Sequence, residues 1–87
     1  SDAPETGETA QPRLHAVTLH ARAAALAKPI EALGLDDLGV QVTAVRRPGE
    51  AKKLAPAEAG ALREGDVVIL LGAPELLAAA ELRLLRG

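Results

Sequence analysis

Two adjacent arginines, Arg46 and Arg47, are the residues of this chain best suited to bind a ligand. They end an alternating segment that predicts a strand, and they lead into a Pro-Gly turn. A guanidinium group presents a rigid fork of N–H donors that matches the oxygens of phosphate or carboxylate. The pattern indicates an anion-binding strand end or, alternatively, a solvated strand end in which an arginine pairs with Glu50.

The other polar candidates have spacings that favour structural roles. His15 and His20 lie five positions apart near one predicted strand, so they face opposite sides and make a poor metal pair. Asp36 and Asp37 supply too few oxygens to hold calcium alone and suit a turn. We therefore expect no metal site.

Nothing in the chain has the arrangement of a catalytic centre. There is no cysteine, no Ser-His-Asp order, no Gly-rich phosphate loop and no G-x-G-x-x-G fingerprint. We therefore expect a protein that is not an enzyme and that binds no cofactor of its own.

Composition restricts the fold and the partners. The 87 residues suit one small domain, whose core must be aliphatic because the chain has no Phe, Trp, Tyr or Met. A net charge of −2 and the lack of aromatic rings argue against nucleic acid as a partner. The longest strongly apolar run, residues 67–71, is far shorter than the roughly 20 residues of a membrane-spanning helix.

The first half of the chain predicts a linker, a strand and a short helix. Residues 1–12 are polar and acidic, and we expect a disordered linker followed by one domain over residues 13–87. Residues 14–20 alternate like a strand. The alanine-rich residues 21–27 fit either an extended loop or one helical turn. Residues 29–33 predict a short helix that begins at a proline and ends at Gly34.

The second half predicts a hairpin, a buried strand and a helix. Residues 40–46 alternate like a half-buried strand, and the Pro-Gly of residues 47–50 suits a type II turn into a short strand near residues 52–55. Residues 56–61 predict a loop, and Glu64 and Asp66 are expected to shape a tight turn. Residues 67–71 are all apolar, which predicts a central strand covered on both faces. Pro74 opens a helix with an apolar stripe at Leu77, Ala80 and Leu84.

These elements predict an α+β fold with the order β-α-β-β-β-α. About twenty residues with a helix separate the first two strands, which is enough for a crossover between parallel strands. The second and third strands are expected to pair antiparallel. A mixed sheet with helices packed against it follows.

Three segments resemble the TrkA C-terminal domain, also called the RCK C-terminal domain. Residues 27–33 resemble its G-K-x-L-x-x-L segment, with Ala27 at the glycine position and Pro29 after the lysine. Residues 39–49, GVQVTAVRRPG, resemble G-V-x-V-x-A-I-R-R-x-G. Residues 62–75 resemble L-x-x-G-D-x-L-x-x-x-G-x-x-E, with Val68 at the leucine position. The resemblance covers residues 14–87, and residues 80–87 resemble the end of cation/proton antiporters of the glutathione-regulated potassium efflux type.

The resemblance implies a regulatory module of a potassium or other monovalent cation transport protein, either a channel or a cation/proton antiporter. Its implied place is the cytoplasmic face of the cell membrane, tethered to the transmembrane transport domain of a parent chain, and the fragment itself is expected to be soluble. The implied partner is a second copy in a homodimer. The implied ligand is a cyclic dinucleotide, another nucleotide or a cation, which we expect near Val42, Ala44, Arg46, Arg47 and Pro56. The alternative is a structural dimerisation domain without a small-molecule ligand.

Overall fold

Three antiparallel strands and a long C-terminal helix form the framework of the molecule. The structure is a computed structural model and describes residues 11–87, so that residues 1–10 of the predicted linker lie outside the described residues. The strands are β1 (Arg13–Thr18), β2 (Gln41–Arg46) and β3 (Val67–Gly72). The long helix is Pro74–Arg86, and a short helix, Pro56–Ala59, precedes β3. The fold class is α+β.

The sheet has the order β1-β3-β2, so the all-apolar strand takes the centre as its sequence predicts. Both outer strands pair antiparallel with β3. The prediction of a mixed sheet is therefore wrong. The first two strands do run in the same direction, but β3 lies between them, and no parallel pair forms among the described residues.

The predicted short strand near residues 52–55 is reduced to one bridge, between Val45 and Leu54. The chain then turns into the short helix Pro56–Ala59, where a loop was predicted. Proline suits this first helical position, and the Glu58 side chain accepts a hydrogen bond from the Ala55 N–H at 2.7 Å. This local bond makes a helical turn more favourable than further pairing with β2.

The connection between β1 and β2 contains turns and two short 3-10 helices, Ile30–Leu33 and Asp36–Leu38. The first of these ends at Gly34 as predicted. The alanine-rich segment before it runs along the end of the C-terminal helix. There the N–H groups of Ala24 and Ala25 donate to the carbonyls of Leu85 and Leu84 at 3.1 and 3.0 Å. These bonds satisfy carbonyls that a helix end leaves free.

The core is aliphatic and lies between the sheet and the C-terminal helix. The predicted stripe of that helix is buried, which confirms its orientation. The buried residues of this layer include Val17, Val45, Val68, Leu70, Leu77, Ala80 and Leu84. The opposite face of β3 is only half-buried, so among residues 11–87 the prediction of a strand covered on both faces is wrong.

Candidate functional site

A buried ion pair joins the end of β2 to the turn before β3. The Arg47 Nε donates to Asp66 Oδ1 at 3.0 Å, and its Nη2 donates to Asp66 Oδ2 at 2.9 Å. The same Nη2 also donates to the Ala59 carbonyl at 2.9 Å, which ties in the short helix. The side chains of Arg47 and Asp66 are 8% and 0% exposed. This bidentate arrangement holds three segments of the chain together.

The charges of this pair are stabilised by their surroundings. Burial by itself raises the pKa of Asp66, but hydrogen bonds from Arg47 and from the Arg63 N–H, together with the charges of both arginines, lower it below its usual value. The hydrogen bond to Asp66 raises the pKa of Arg47. Both groups are therefore ionised at neutral pH.

Two turns bring the partners of this pair together. The turn after β2 has the Glu50 N–H bonded to the Arg47 carbonyl at 3.0 Å and Gly49 at φ +88°, as the predicted type II turn requires. The turn before β3 has the Asp66 N–H bonded to the Arg63 carbonyl at 3.0 Å. In addition, Asp66 Oδ2 accepts from the Arg63 N–H at 2.9 Å, which confirms that Asp66 shapes this turn.

Arg46 occupies a different environment from its neighbour. It is exposed and lines a surface cavity of about 650 Å³ at the turn after β2. Lys52 and Lys53 line the same cavity, and among the described residues Glu50 is its one acidic side chain. We call this the basic cavity. Two lysines and an exposed guanidinium around an open concavity suit an anion such as phosphate.

Val42 and Pro56 line another cavity, of about 400 Å³, at the beginning of β2. Its charged residues are Glu31, Asp36 and Asp37, and no basic side chain lines it in the part of the chain that the structure describes. We call this the acidic cavity. Its charge opposes the phosphates of a nucleotide and favours a cation.

The structure thus distributes the predicted ligand residues over separate places. Arg46 faces the basic cavity, and Val42 and Pro56 face the acidic cavity. Arg47 also borders the basic cavity, but its guanidinium is engaged by Asp66 rather than by Glu50. Ala44 is half-buried and pairs with Ile69 in the sheet.

The two histidines have different partners, and His20 lies outside β1, so the two do not share the strand on which they were predicted to face opposite sides. His15 bonds through Nε2 to Glu81 of the C-terminal helix. The Nδ1 of His20 accepts from the Arg22 N–H at 3.1 Å. Across residues 11–87, no three metal-binding side chains form a group that could hold an ion.

Sequence reasoning missed two parts of this site. Asp66 was expected only to shape a turn, and its role as the buried partner of Arg47 follows from contact between segments 19 positions apart. Lys52 and Lys53 were expected in a strand. The sequence contains an indication of each role. Asp66 directly precedes a fully apolar strand, where a carboxylate without a partner is unfavourable. The two lysines follow a turn that folds the chain back toward Arg46.

Comparison of the chain with protein-family models gives no match, and comparison with curated proteins gives none either. Among the described residues, the helices are too short or too polar to cross a membrane.

Proposed function

We propose that this chain is a regulatory module of the TrkA C-terminal type. In this proposal it serves a potassium or other monovalent cation transport protein at the cytoplasmic face of the membrane, where it senses a small ligand and dimerises. It is a regulatory part of its parent and not an enzyme. The basis is the order and spacing of three motifs over residues 27–75.

The observation that carries the proposal is that two of these motifs meet in space. The second arginine of the R-R pair, Arg47, bonds bidentately to Asp66, the aspartate of the G-D pair. The two motifs therefore have one physical purpose, since each supplies half of a buried ion pair that joins β2 to the start of β3. A chance likeness of sequence would not be expected to join the motifs in this way.

The remaining motif has a backbone feature that also supports the proposal. Ala27 stands where the family has glycine, and it adopts φ +70°. Among residues 11–87 it is the one residue other than glycine with a positive φ. Glycine adopts this conformation without strain, so the position has the geometry that explains the family's preference.

The basic cavity is the proposed ligand site. Arg46, Lys52 and Lys53 can bind phosphate oxygens, which suits a cyclic dinucleotide or another nucleotide. The acidic cavity at Val42 and Pro56 repels such an anion and is the place for a cation instead. We favour the anion because Arg46, Lys52 and Lys53 border one cavity in addition to Arg47, which is engaged by Asp66.

Regulation requires that the ligand bind two dimer arrangements with different affinities. A ligand that binds both equally shifts no equilibrium, however tightly it binds. The parent's transmembrane transport domain would respond to the shift through its tether.

Sedimentation equilibrium of the whole chain tests the proposal, with and without cyclic dinucleotides, adenine nucleotides, inorganic phosphate and divalent cations. Interference optics are required because the chain has no Trp or Tyr. We expect a dimer whose dissociation constant changes with an anionic nucleotide, and we expect Lys52→Glu combined with Lys53→Glu to remove that change. A chain that stays monomeric and binds none of these ligands at millimolar concentration would contradict the proposal.

A structural dimerisation domain without a ligand is the second candidate. It is favoured by the engagement of Arg47 inside the protein and by the aliphatic, half-buried face of β3. Under this alternative the two lysine substitutions leave both assembly and transport by the parent unchanged.

A further inference from the structure

Within residues 11–87, one face of the sheet is left without a cover. The C-terminal helix packs on the face that carries Val17, Val68 and Leu70. On the opposite face, Leu14 is 68% exposed, Ala16 is exposed and Ile69 is only half-buried. We call this side of β1, β3 and β2 the open face.

The residue pattern of the open face is that of a contact surface. A strand that faces water on one side alternates apolar residues with polar ones. The central strand instead places Val67, Ile69 and Leu71 on the open side. In register beside them on β1 lie Thr18, Ala16 and Leu14, so the middle of the face is aliphatic across two strands.

The charges of the open face lie at its two ends and have opposite signs. Arg46 lies at one end, where it shares a groove with Leu14, Ala16, Val67 and Ile69. Asp36 lies at the other end, in a groove with Gln41 and Leu71. No charged side chain occupies the strand positions between Arg46 and Gln41 on β2.

We propose that the open face binds a second copy of this chain, with the two sheets packed face to face and their strands antiparallel. This inference rests on the proposed function, to which it adds the surface through which the module dimerises. A two-fold axis across the strands near Ile69 would place the same patch on both sides of the interface. Face-to-face packing of two sheets about 10 Å apart is a standard way to bury such aliphatic faces.

The charges of the open face favour a second copy of this chain as the partner, and they favour the antiparallel orientation of its strands. The half-turn about that axis exchanges the ends of each sheet. Arg46 of each copy then approaches the Asp36 end of the other, twice in one dimer. A parallel arrangement would instead place both Arg46 side chains at one end of the dimer and both Asp36 carboxylates at the other, so that neither Asp36 has Arg46 as a partner.

The test is the dimer dissociation constant of the whole chain, measured by sedimentation equilibrium with interference optics. Leu14→Glu places a charge in the open face at a residue that is exposed in the single chain, so the fold should be unaffected. We expect this substitution to weaken the dimer by at least about tenfold, because a carboxylate would be buried without a partner. Leu82→Glu is the matched control. Leu82 is 57% exposed on the C-terminal helix, away from the open face, and its substitution should leave the dissociation constant unchanged.

A charge exchange tests the orientation. Arg46→Asp and Asp36→Arg should each weaken the dimer several-fold, and the two changes together should restore it. Far-UV circular dichroism checks that each variant is folded. If Leu14→Glu does not fold, Ala16→Glu, at another exposed position of the same face, replaces it.

The dissociation constants of these variants distinguish the possible failures of the proposal. A dimer that is equally stable with Leu14→Glu or Ala16→Glu overturns the open face as the interface but leaves dimerisation itself intact. A chain that stays monomeric at several hundred micromolar overturns both this inference and the dimerisation in the proposed function. Weakening by both single charge changes without restoration in the combined variant overturns the antiparallel orientation.

Discussion

Arg46 and Arg47 are neighbours of the same type, yet the fold gives them different roles. The Arg47 side chain is 8% exposed and forms a bidentate pair with a fully buried carboxylate. The Arg46 side chain is exposed beside Lys52 and Lys53. Successive side chains of an extended segment point to opposite sides, so one arginine is directed into the protein and the other out of it. The fold therefore engages the guanidinium of Arg47 inside the protein and leaves that of Arg46 available to a ligand or a partner.

Removing the buried carboxylate should have the largest effect. Asp66→Ala leaves the Arg47 guanidinium buried without its counter-charge, and we expect a loss of about 3–5 kcal/mol in the free energy of unfolding. Urea denaturation followed by far-UV circular dichroism measures this. Arg46→Ala is the matched control and should change stability by less than about 0.5 kcal/mol. Equal losses for the two variants would show that the two arginines do not differ as described.

Two glycine substitutions distinguish how much each turn beside the Arg47–Asp66 pair contributes to stability. Gly65→Ala and Gly49→Ala both place alanine at a positive φ, +91° and +88°. We expect Gly49→Ala to cost about 1–2 kcal/mol from backbone strain alone, because nothing lies within 4 Å of its new Cβ. Gly65→Ala should cost more, because its Cβ would lie 3.1 Å from Pro48 Cγ. Thermal unfolding of both variants tests this order, and a smaller loss for Gly65→Ala would contradict it.

Acid should weaken the buried pair in a predictable direction. The pKa of Asp66 is lowered in the folded protein, whereas an unfolded aspartate titrates near 3.9. The stabilisation by this pair is therefore fully present above about pH 4 and is lost as the pH falls through the folded-state pKa. The difference in unfolding free energy between the natural chain and Asp66→Asn should shrink as the pH is lowered from 7 to 2. A difference that stays constant over this range would show that Asp66 is not stabilised as a carboxylate.

Arg46→Ala should have the smallest effect on stability but a clear effect on the binding of an anionic ligand. Arg46→Ala removes one charged donor from the basic cavity. If a nucleotide binds there, we expect its affinity to fall about tenfold, which corresponds to about 1.4 kcal/mol for a lost charge-assisted bond. Isothermal titration calorimetry measures this. Arg22→Ala, at an exposed arginine outside the residues that line this cavity, should leave the affinity unchanged.

The sequence predicts the local elements of this fold well and the contacts between them poorly. The alternation of residues 40–46 and the apolar run before Gly72 locate β2 and β3, since side chains in a strand alternate with a period of two. The Pro-Gly dipeptide predicts the turn after β2 because each residue has its own backbone preference. The antiparallel pairing of β1 with β3 was missed, because neither strand contains a residue that identifies its neighbour.

The candidate site was likewise predictable in its residue types and not in its spatial arrangement. Residue type singled out Arg46 and Arg47 as groups able to bind an anion. It could not separate them, and it could not show that Val42 and Pro56 belong to a second cavity of opposite charge. The net charge of a surface cavity depends on side chains from segments that are distant in the sequence. The spacing of residues within one segment therefore does not reveal that charge.

By itself, the sequence determined the aliphatic core, the strands β2 and β3, the Pro-Gly turn after β2, the helix that begins at Pro74 and the ability of the two arginines to bind an anion. These follow from local sterics, periodicity and side-chain chemistry, all of which act over a few residues. Only the tertiary structure decided that β3 lies between β1 and β2, that Asp66 is the partner of Arg47, and that residues 11–87 leave one sheet face open. Those outcomes depend on which distant segments can bury apolar surface together while every buried charge keeps a partner.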